Sequence, residues 1–464
     1  MAVAGDRARE ALRAAGDRPL LLSVDGPART GSELDRRIEG VAGALTAAGA
    51  HQARVGIWMW NSAAAFEVHL AVERVGSTRV CVDPSAPADE MRAVMDAAGV
   101  RIVVTDRAHA SQADSLVHDD EEPLSGPAPV TATTVDPDTT HLLYPRMVTN
   151  GKLLAVPISY ANWDAQIDIN LDLYRTGWYG PRLSGDDVAV TAQQLMHGTG
   201  PVLSFPFLIT GLPQVVLSRF EAAAFLDAVD RFRATTSFFV PAMITRVVAA
   251  LDPGRQLSLR RLLYGGAPFP LDEMIPSIRR LGPVLVQLYG RLEGGWPLTV
   301  LGTDAHTAIA GGDQSLARSC GSPIPGIELE VRDIDGSPRG ELRVRGPSVV
   351  TDYSDPDGWC ALGDLVTTDA DGRFYLHGRL DGMINTGSYH VYPAEVETAI
   401  AALAGVRDVL VRGKPDPVWG QAVTAYVTCD EPPPEPENLK AQLRHRLAPY
   451  KIPKTINIVT RLPA

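Results

Sequence analysis

Residues 53–105, ARVGIWMWNSAAAFEVHLAVERVGSTRVCVDPSAPADEMRAVMDAAGVRIVVT, decide the fold class. ARVGIWMW is an apolar run of strand length. NSAAAFEVHLAVERVG follows it, with Asn61 or Ser62 as helix N-cap and Gly76 as the stop. RVCVD reads as a second strand, ADEMRAVMDAAG as a second helix and VRIVVTD as a third strand. Short apolar strands alternating with helices predict a parallel, doubly wound sheet.

Working outward, the alternation resumes near residue 187. DVAVTA, an apolar helix through PVLSFPFLIT, QVVLS, AAAFLDAVDRF, TSFFV, PAMITRVVAAL, RRLLYGG, LDEMIPSIRRL and PVLVQLYG continue it. Two such blocks, split by residues 107–140, predict two sheets packed together. The character changes at about 320–380, where IELEVRDIDGSPRGELRVRG reads as an antiparallel hairpin around Asp-Gly and Pro turns. A small α+β unit follows, with the helix PAEVETAIAAL opened by Pro393, the strands VRDVLVRG and QAVTAYVT, the linker EPPPEPEN, the helix LKAQLRHRLAP and the strand TINIVT. The boundary is placed near Asp381, giving 1–380 and 381–464.

The chain has 464 residues, 45% hydrophobic and 21% charged, which fits a large globular core and excludes dominant disorder. With 43 basic against 55 acidic residues the net charge is −12, which argues against nucleic acid or an anionic membrane as partner. Four scattered cysteines without a CxxC pair predict reduced thiols, no structural metal and no disulfide framework. The N-terminus mixes charges of both signs and lacks the apolar stretch of a signal peptide, and no apolar run approaches the ~20 residues of a membrane span. A cytoplasmic protein is the expectation, and the oligomeric state is open.

Ligands of open α/β sheets bind at the carboxyl ends of strands. LLYGGAP places Gly265 and Gly266 there, where bare backbone admits a flat ring or a phosphate; a tight turn explains the pair equally well. VQLYGRLEGG repeats the design with Tyr289, Gly290 and Glu293. ALGDL presents Asp364, either a partner for a ribose diol or a solvated turn residue. Neither GxGxxG nor GxxxxGK[ST] occurs, so Rossmann and Walker sites lack support.

In order, GGAP, QLYGRLE, GSPIPG, GD, GRLDGMINTGSYHVYPAEVE, GKPDPVWGQAV and LAPYKIP resemble the motif series of the adenylate-forming superfamily of acyl-CoA synthetases, peptide-synthetase adenylation domains and luciferases. The resemblance runs from about residue 10 to the C-terminus. It implies an α/β fold of two doubly wound sheets plus a small β-barrel in a large N-terminal domain, with a small, mobile α+β C-terminal domain. By match to those motifs, Gly265, Gly266 and Ala267 would contact adenine, with Gly290 beside them. Tyr289 would stack on the ring, and Asp364 and Arg379 would bind the ribose. Asp381 would be the hinge, and Gly387 would approach pantetheine in the thioester-forming state. His197 matches a position between acyl pocket and thiol tunnel, or is a hydrogen-bonded core histidine. Val240, Pro241, Met243 and Ile244 would wall the acyl pocket. Low aromatic content, 6%, hints at an aliphatic lining.

Three departures stand out. The family's phosphate loop is a run of glycines and hydroxyls, but LLYPRMVTNGKLLAVPISYAN keeps only Gly151 of the glycines. Thr149 and Asn150 offer polar contacts, and Arg146 and Lys152 offer charge without a cradle. Cβ bulk at Val148 and Leu154 opposes a nest of bare N–H groups. Leu292 replaces the threonine expected before Glu293, the residue at which magnesium would sit. The chain stops at Ala464, before the family's Gly-Lys motif.

Adenylation needs those parts because charge builds on pyrophosphate. Thioester formation from an acyl-adenylate needs positioning and a tunnel. The sequence therefore resembles a non-adenylating acyl-CoA ligase of the kind found in platensimycin-type diterpenoid biosynthesis. This implies acyl-AMP and coenzyme A as substrates and a separate adenylating ligase as partner. A conventional two-step ligase with a divergent loop, and an inactive binding or scaffold homologue, are the alternatives.

Overall fold

The computed structural model describes residues 4–24, 26–127, 135–149, 152–195, 200–334, 339–380, 382–387 and 389–463. Among them the strands form three sheets. One sheet of six runs, in spatial order, Leu116–Val117, Ile102–Thr105, Arg54–Trp58, Thr78–Cys81, Thr140–Thr149 and Lys152–Ser159. Its pairings are parallel up to the last, which is an antiparallel hairpin. The predicted helix between the first two strands of the quoted stretch is Ala63–Arg74. Ser62 caps it, its hydroxyl accepting from the Ala65 amide at 3.0 Å, and Gly76 ends it at φ +68°.

The second sheet has thirteen strands. Its parallel part includes Gln214–Val216, Ala189–Thr191, Thr236–Phe239, Arg261–Gly265 and Leu285–Arg291. These strands are buried on both faces, which is why they read as unbroken apolar runs. The β-rich unit expected over about 320–380 is present as antiparallel strands, hydrogen-bonded onto this sheet through Ser319–Pro323. A third sheet draws its strands from residues 384–458 and carries its own apolar core around Val396, Ile400, Val423 and Leu443.

Residues 140–149 and 152–159 pair as antiparallel strands; of the expected loop residues, Thr149 and Lys152 form the last rung, and Asn150 and Gly151 lie outside the described residues. The ladder runs from Thr140 opposite Ser159 to Thr149 opposite Lys152, with irregularities only near Thr140 and Pro145. Val148 and Leu154, read as obstacles to a phosphate nest, lie in the paired strands, where the β-branched Val148 and Val156 suit a pleated backbone. Val156 is fully buried, and Val148 and Leu153 pack against the core below Trp58.

Candidate active site

The helix Tyr160–Thr176 grows directly from this hairpin, and its start is fixed by a capping box. The Ser159 hydroxyl accepts from the Asn162 amide at 3.1 Å, while the Asn162 side chain accepts from the Ser159 amide at 3.3 Å. Trp163 and Gln166, three residues apart, therefore share one face. One turn on, Asn170 donates to the Trp296 carbonyl at 3.0 Å and accepts from the Tyr179 hydroxyl at 2.6 Å. One helix thus places two side chains directly and orients a third through its backbone.

These residues line a cavity of about 180 Å³ that runs between the large sheet and the small domain. Its deep end holds Trp163, Gln166, Phe238, Val240 and Trp296. The expected aliphatic lining is thereby corrected, because a few aromatic residues are gathered at one place. Phe238 and Trp296 meet edge-on at 6.2 Å, and the Arg79 guanidinium lies 4.7 Å from the Trp163 ring. The Gln166 Nε2, Trp163 Nε1 and Trp296 Nε1 groups are buried without hydrogen-bond partners. Of the expected pocket wall only Val240 faces the cavity. Pro241 begins the helix Pro241–Ala250, Ile244 is fully buried in the core, and Met243 packs against that core. Helical periodicity turns Ile244 inward, away from the strand ends.

The glycines have a structural reason as well as a place in the site. A Cβ on Gly265 would come within 2.3 Å of the Leu288 carbonyl and 3.0 Å of the Trp296 ring, and one on Gly290 within 2.7 Å of that ring. Both glycines admit the indole. Gly266 adopts φ +82°, and its carbonyl accepts from Asn385 Nδ2 of the small domain at 2.8 Å. Ala267 follows it in the turn and lies off the cavity lining. Tyr289, expected to stack on adenine, is packed in the core with Leu298 and Cys320, and its hydroxyl donates to Asp364 Oδ2 at 2.7 Å. Arg379 Nη1 donates to Asp364 Oδ1 at 2.7 Å. The predicted ribose pair is therefore assembled, with both carboxylate oxygens already engaged.

The fit of a divalent cation can be tested at Glu293. Arg146, projecting from the hairpin, pairs with the Glu293 carboxylate, and Arg291 Nη2 lies 3.6 Å from it. Burial opposes ionisation of Glu293, but the Arg291 and Arg146 guanidiniums overcome it and hold the carboxyl below the usual glutamate range. Two guanidiniums stand where a cation would be needed, so the residues present do not fit magnesium. Among the described residues no group of three His, Cys, Asp or Glu side chains could hold a metal ion. Lys152 is exposed at the end of its strand and off the cavity lining. Leu292 lines the cavity and packs against the large core.

The small domain closes the other end with Tyr389, His390, Tyr392, Tyr450 and Lys451. Tyr389 stacks on Tyr450 at 4.0 Å and 15°. Lys451 Nζ reaches Glu90 of the large domain at 2.5 Å and Glu395 of its own domain at 2.8 Å. The Ala448 amide also donates to Glu90. Burial, with Glu90 adding like charge, pushes the Glu395 carboxyl up to about 7 against the pull of Lys451. Gly387 sits at φ +67°; its amide donates to the Trp419 carbonyl at 2.8 Å, and a Cβ there would stand 3.2 Å from the Trp419 ring. His197, Asp381, Asn150 and Gly151 lie outside the described residues.

Sequence reading missed Arg291, Trp163, Gln166, Phe238, Trp296 and Glu90. The capping box at Ser159 and Asn162 was the available signal for Trp163 and Gln166. Nothing local marks Glu90, whose partners are about 300 or more residues away in the chain.

The family model for AMP-binding enzymes matches residues 8–354, and that for their C-terminal domain matches residues 395–464. A feruloyl-CoA synthase from Amycolatopsis sp is 31% identical over 477 aligned positions, covering 94% of this chain and 91% of that enzyme. The amide bond synthetase McbA from Marinactinospora thermotolerans is 27% identical, with a TM-score of 0.85 over 100% of this chain and 96% of that one. A double mutant of o-succinylbenzoate CoA synthetase from Bacillus subtilis, bound with its product analogue OSB-NCoA, shares the fold at a TM-score of 0.85. It is 23% identical, over 98% of this chain and 95% of that one. The same enzyme with its acyl-adenylate gives 0.70. The chain belongs to the AMP-binding enzyme family, with the α/β fold of the adenylate-forming superfamily. No helix among the described residues is long and apolar enough to cross a membrane.

Proposed function

We propose that this AMP-binding enzyme accepts a preformed acyl-adenylate and transfers the acyl group to the thiol of coenzyme A, without adenylating the acid itself. One observation carries the reading: residues 140–149 and 152–159 pair as a ladder whose Arg146 is tied to Glu293. A triphosphate needs a flexible nest of backbone N–H groups and a cation. A hydrogen-bonded ladder that runs up to Thr149 and Lys152, and an ion pair of Arg146 with Glu293, support the reading.

In the reaction the thiolate sulfur attacks the acyl carbon of the mixed anhydride. A C–S bond forms, the C–O bond to phosphate breaks, AMP leaves with the electron pair, and the thiol proton passes to solvent. The chain's own part is to orient and to exclude water. The acyl group occupies the deep end beside Trp163, Phe238 and Trp296, and the ribose meets Asp364 and Arg379. The thiol enters past Tyr389 and Gly387. Docking of the small domain through Lys451 and Glu90 supports this assignment, because it brings the 384–391 hairpin to the cavity. A division into residues 1–380 and 381–464 pivoting at Asp381, a role for His197 at the thiol, and a separate ligase that supplies the acyl-adenylate belong to the same proposal.

The test supplies an aromatic acyl-AMP with coenzyme A, and separately the acid with ATP, magnesium and coenzyme A, reading thioester by mass. Product in the first reaction alone supports the proposal. Product in both, with acid-dependent exchange of pyrophosphate into ATP, identifies a complete two-step ligase. Product in neither identifies an inactive homologue.

A further inference from the structure

Arg291 is the last residue of the strand Leu285–Arg291, at the carboxyl end of a parallel pair. Its side chain is 5% exposed and lines the cavity, and its Nε and Nη2 have no hydrogen-bond partner in the protein. The nearest acidic oxygens are those of Glu293 at 3.6 Å and Asp364 at 3.9 Å, both beyond hydrogen-bond length. A desolvated guanidinium with unmet donors is costly, and an anionic ligand removes the cost.

The charges around it are countable. Arg146 engages Glu293, Arg379 engages Asp364, and Arg291 lies between the two carboxylates. Three guanidiniums against two carboxylates leave one positive charge, centred on Arg291, the one of the three that meets neither carboxylate at hydrogen-bond distance. An acyl-adenylate carries one negative charge, on its phosphodiester-like phosphate.

We propose that Arg291 is the phosphate ligand of this site. It binds the single charge of the acyl-adenylate and follows that charge onto the departing AMP, while the Arg146–Glu293 pair stands in the cation's place, so that nucleotide binding is independent of divalent metal. This rests on the acyl-transfer reading for its substrate and adds a catalytic residue to it. Guanidinium geometry suits two phosphate oxygens at once, and the donors strengthen as charge moves onto the leaving group.

AMP itself is the probe, titrated by calorimetry into the full chain with EDTA and then with magnesium. The expected wild-type affinity is the same within two-fold in both. R291Q is expected to weaken AMP binding about 10- to 100-fold, as loss of charge-assisted hydrogen bonds predicts, with kcat on acyl-AMP falling alongside. R291K is expected to recover part of both. R146Q, which releases Glu293, is expected to make AMP binding respond to magnesium.

AMP affinity unchanged in R291Q overturns the proposal, as does wild-type binding that needs magnesium, or no AMP binding at all. If R291Q fails to fold by circular dichroism, R291K and the EDTA comparison on the wild type decide. The two readings separate cleanly. AMP binding through Arg291 with no thioester product sinks the acyl-transfer reading alone, while thioester product indifferent to R291Q sinks this one alone.

Discussion

Two hairpins reach the same cavity from different domains, one at residues 140–159 and one at residues 384–391. The first is long, rich in β-branched and leucine residues, and packed against a core. It brings Tyr144 and Arg146 to the cavity, and the arginine is held by Glu293. The second is short, turns through Gly387 at positive φ and leans on Trp419 and Gly266 of neighbouring elements. The first can move little without breaking its own ladder. The second belongs to the small domain, which meets the large one through Lys451 and Ala448 at Glu90 and through Asn385 at Gly266. On the proposed acyl-transfer reading, a site without triphosphate chemistry tolerates a stiff first hairpin, whereas thiol entry calls for a removable second one.

The comparison breaks first if the stiff hairpin grips ATP. On the proposed reading, thioester formation from acid and ATP should be ~10⁴-fold or more slower than from acyl-AMP, because adenylation would proceed without a phosphate cradle and a cation, and each such stabiliser carries about 10²–10³ in rate. Parallel progress curves on one enzyme stock measure this, and comparable rates would refute the contrast.

The removable hairpin should depend on its clasp. K451M leaves Glu90 and Glu395 buried together, so docking should lose about 3 kcal/mol. Small-angle scattering should then show an expanded particle, and transfer to coenzyme A should fall while AMP binding holds. A compact, active K451M would show that the clasp is incidental.

Gly387 tests the second turn alone. G387V puts a β-branched residue at positive φ and against Trp419, at about 2 kcal/mol of local strain. Coenzyme A transfer should drop at least ten-fold with the melting temperature of the large domain unmoved. A normal rate would mean that the turn has no part in thiol entry.

The carboxylates behind the two hairpins should answer pH in opposite senses. Glu395 is raised to about 7 from an ordinary 4.5, so its contribution is complete below about pH 4.5 and is lost as the pH climbs through 7. Glu293 is lowered, so its contribution is complete above about 4.5 and is lost as the pH falls through its depressed value. Domain docking should weaken a few-fold between pH 5 and 8, and E395Q should flatten that slope without touching acid sensitivity. Equal slopes in E395Q and wild type, read by scattering across pH, would remove Glu395 from the clasp.

The smallest effect belongs to the deep end. Q166L removes an amide with an unpartnered Nε2 and should shift preference among aromatic acyl-AMPs by only a few-fold, read as ratios of kcat/KM.

Much of the fold was legible because strands and helices of a doubly wound sheet declare themselves locally. Ser62, Gly76 and Pro393 stand where caps and stops were read, and both sheets follow the alternation. The segment 140–159 was legible only in the negative. Its Cβ bulk was read as opposing a nest, but its pairing comes from contact with Thr78–Cys81 and packing over a core. The acyl pocket was misread at Met243 and Ile244 because apolar residues at helical spacing look alike from either face.

By itself the sequence determined the family, the strand–helix alternation within each block, the presence of Asp364 and Arg379, and the scarcity of glycine between residues 140 and 159. All of these follow from residue types and short-range spacing. Only the tertiary structure decided that Arg146 meets Glu293, that Arg291 is left with unmet donors between two carboxylates, that Trp296 fills the space cleared by Gly265 and Gly290, and that Glu90 holds Lys451. Charge balance and burial are properties of groups brought together from distant parts of the chain, and local sequence carries no record of which groups those are.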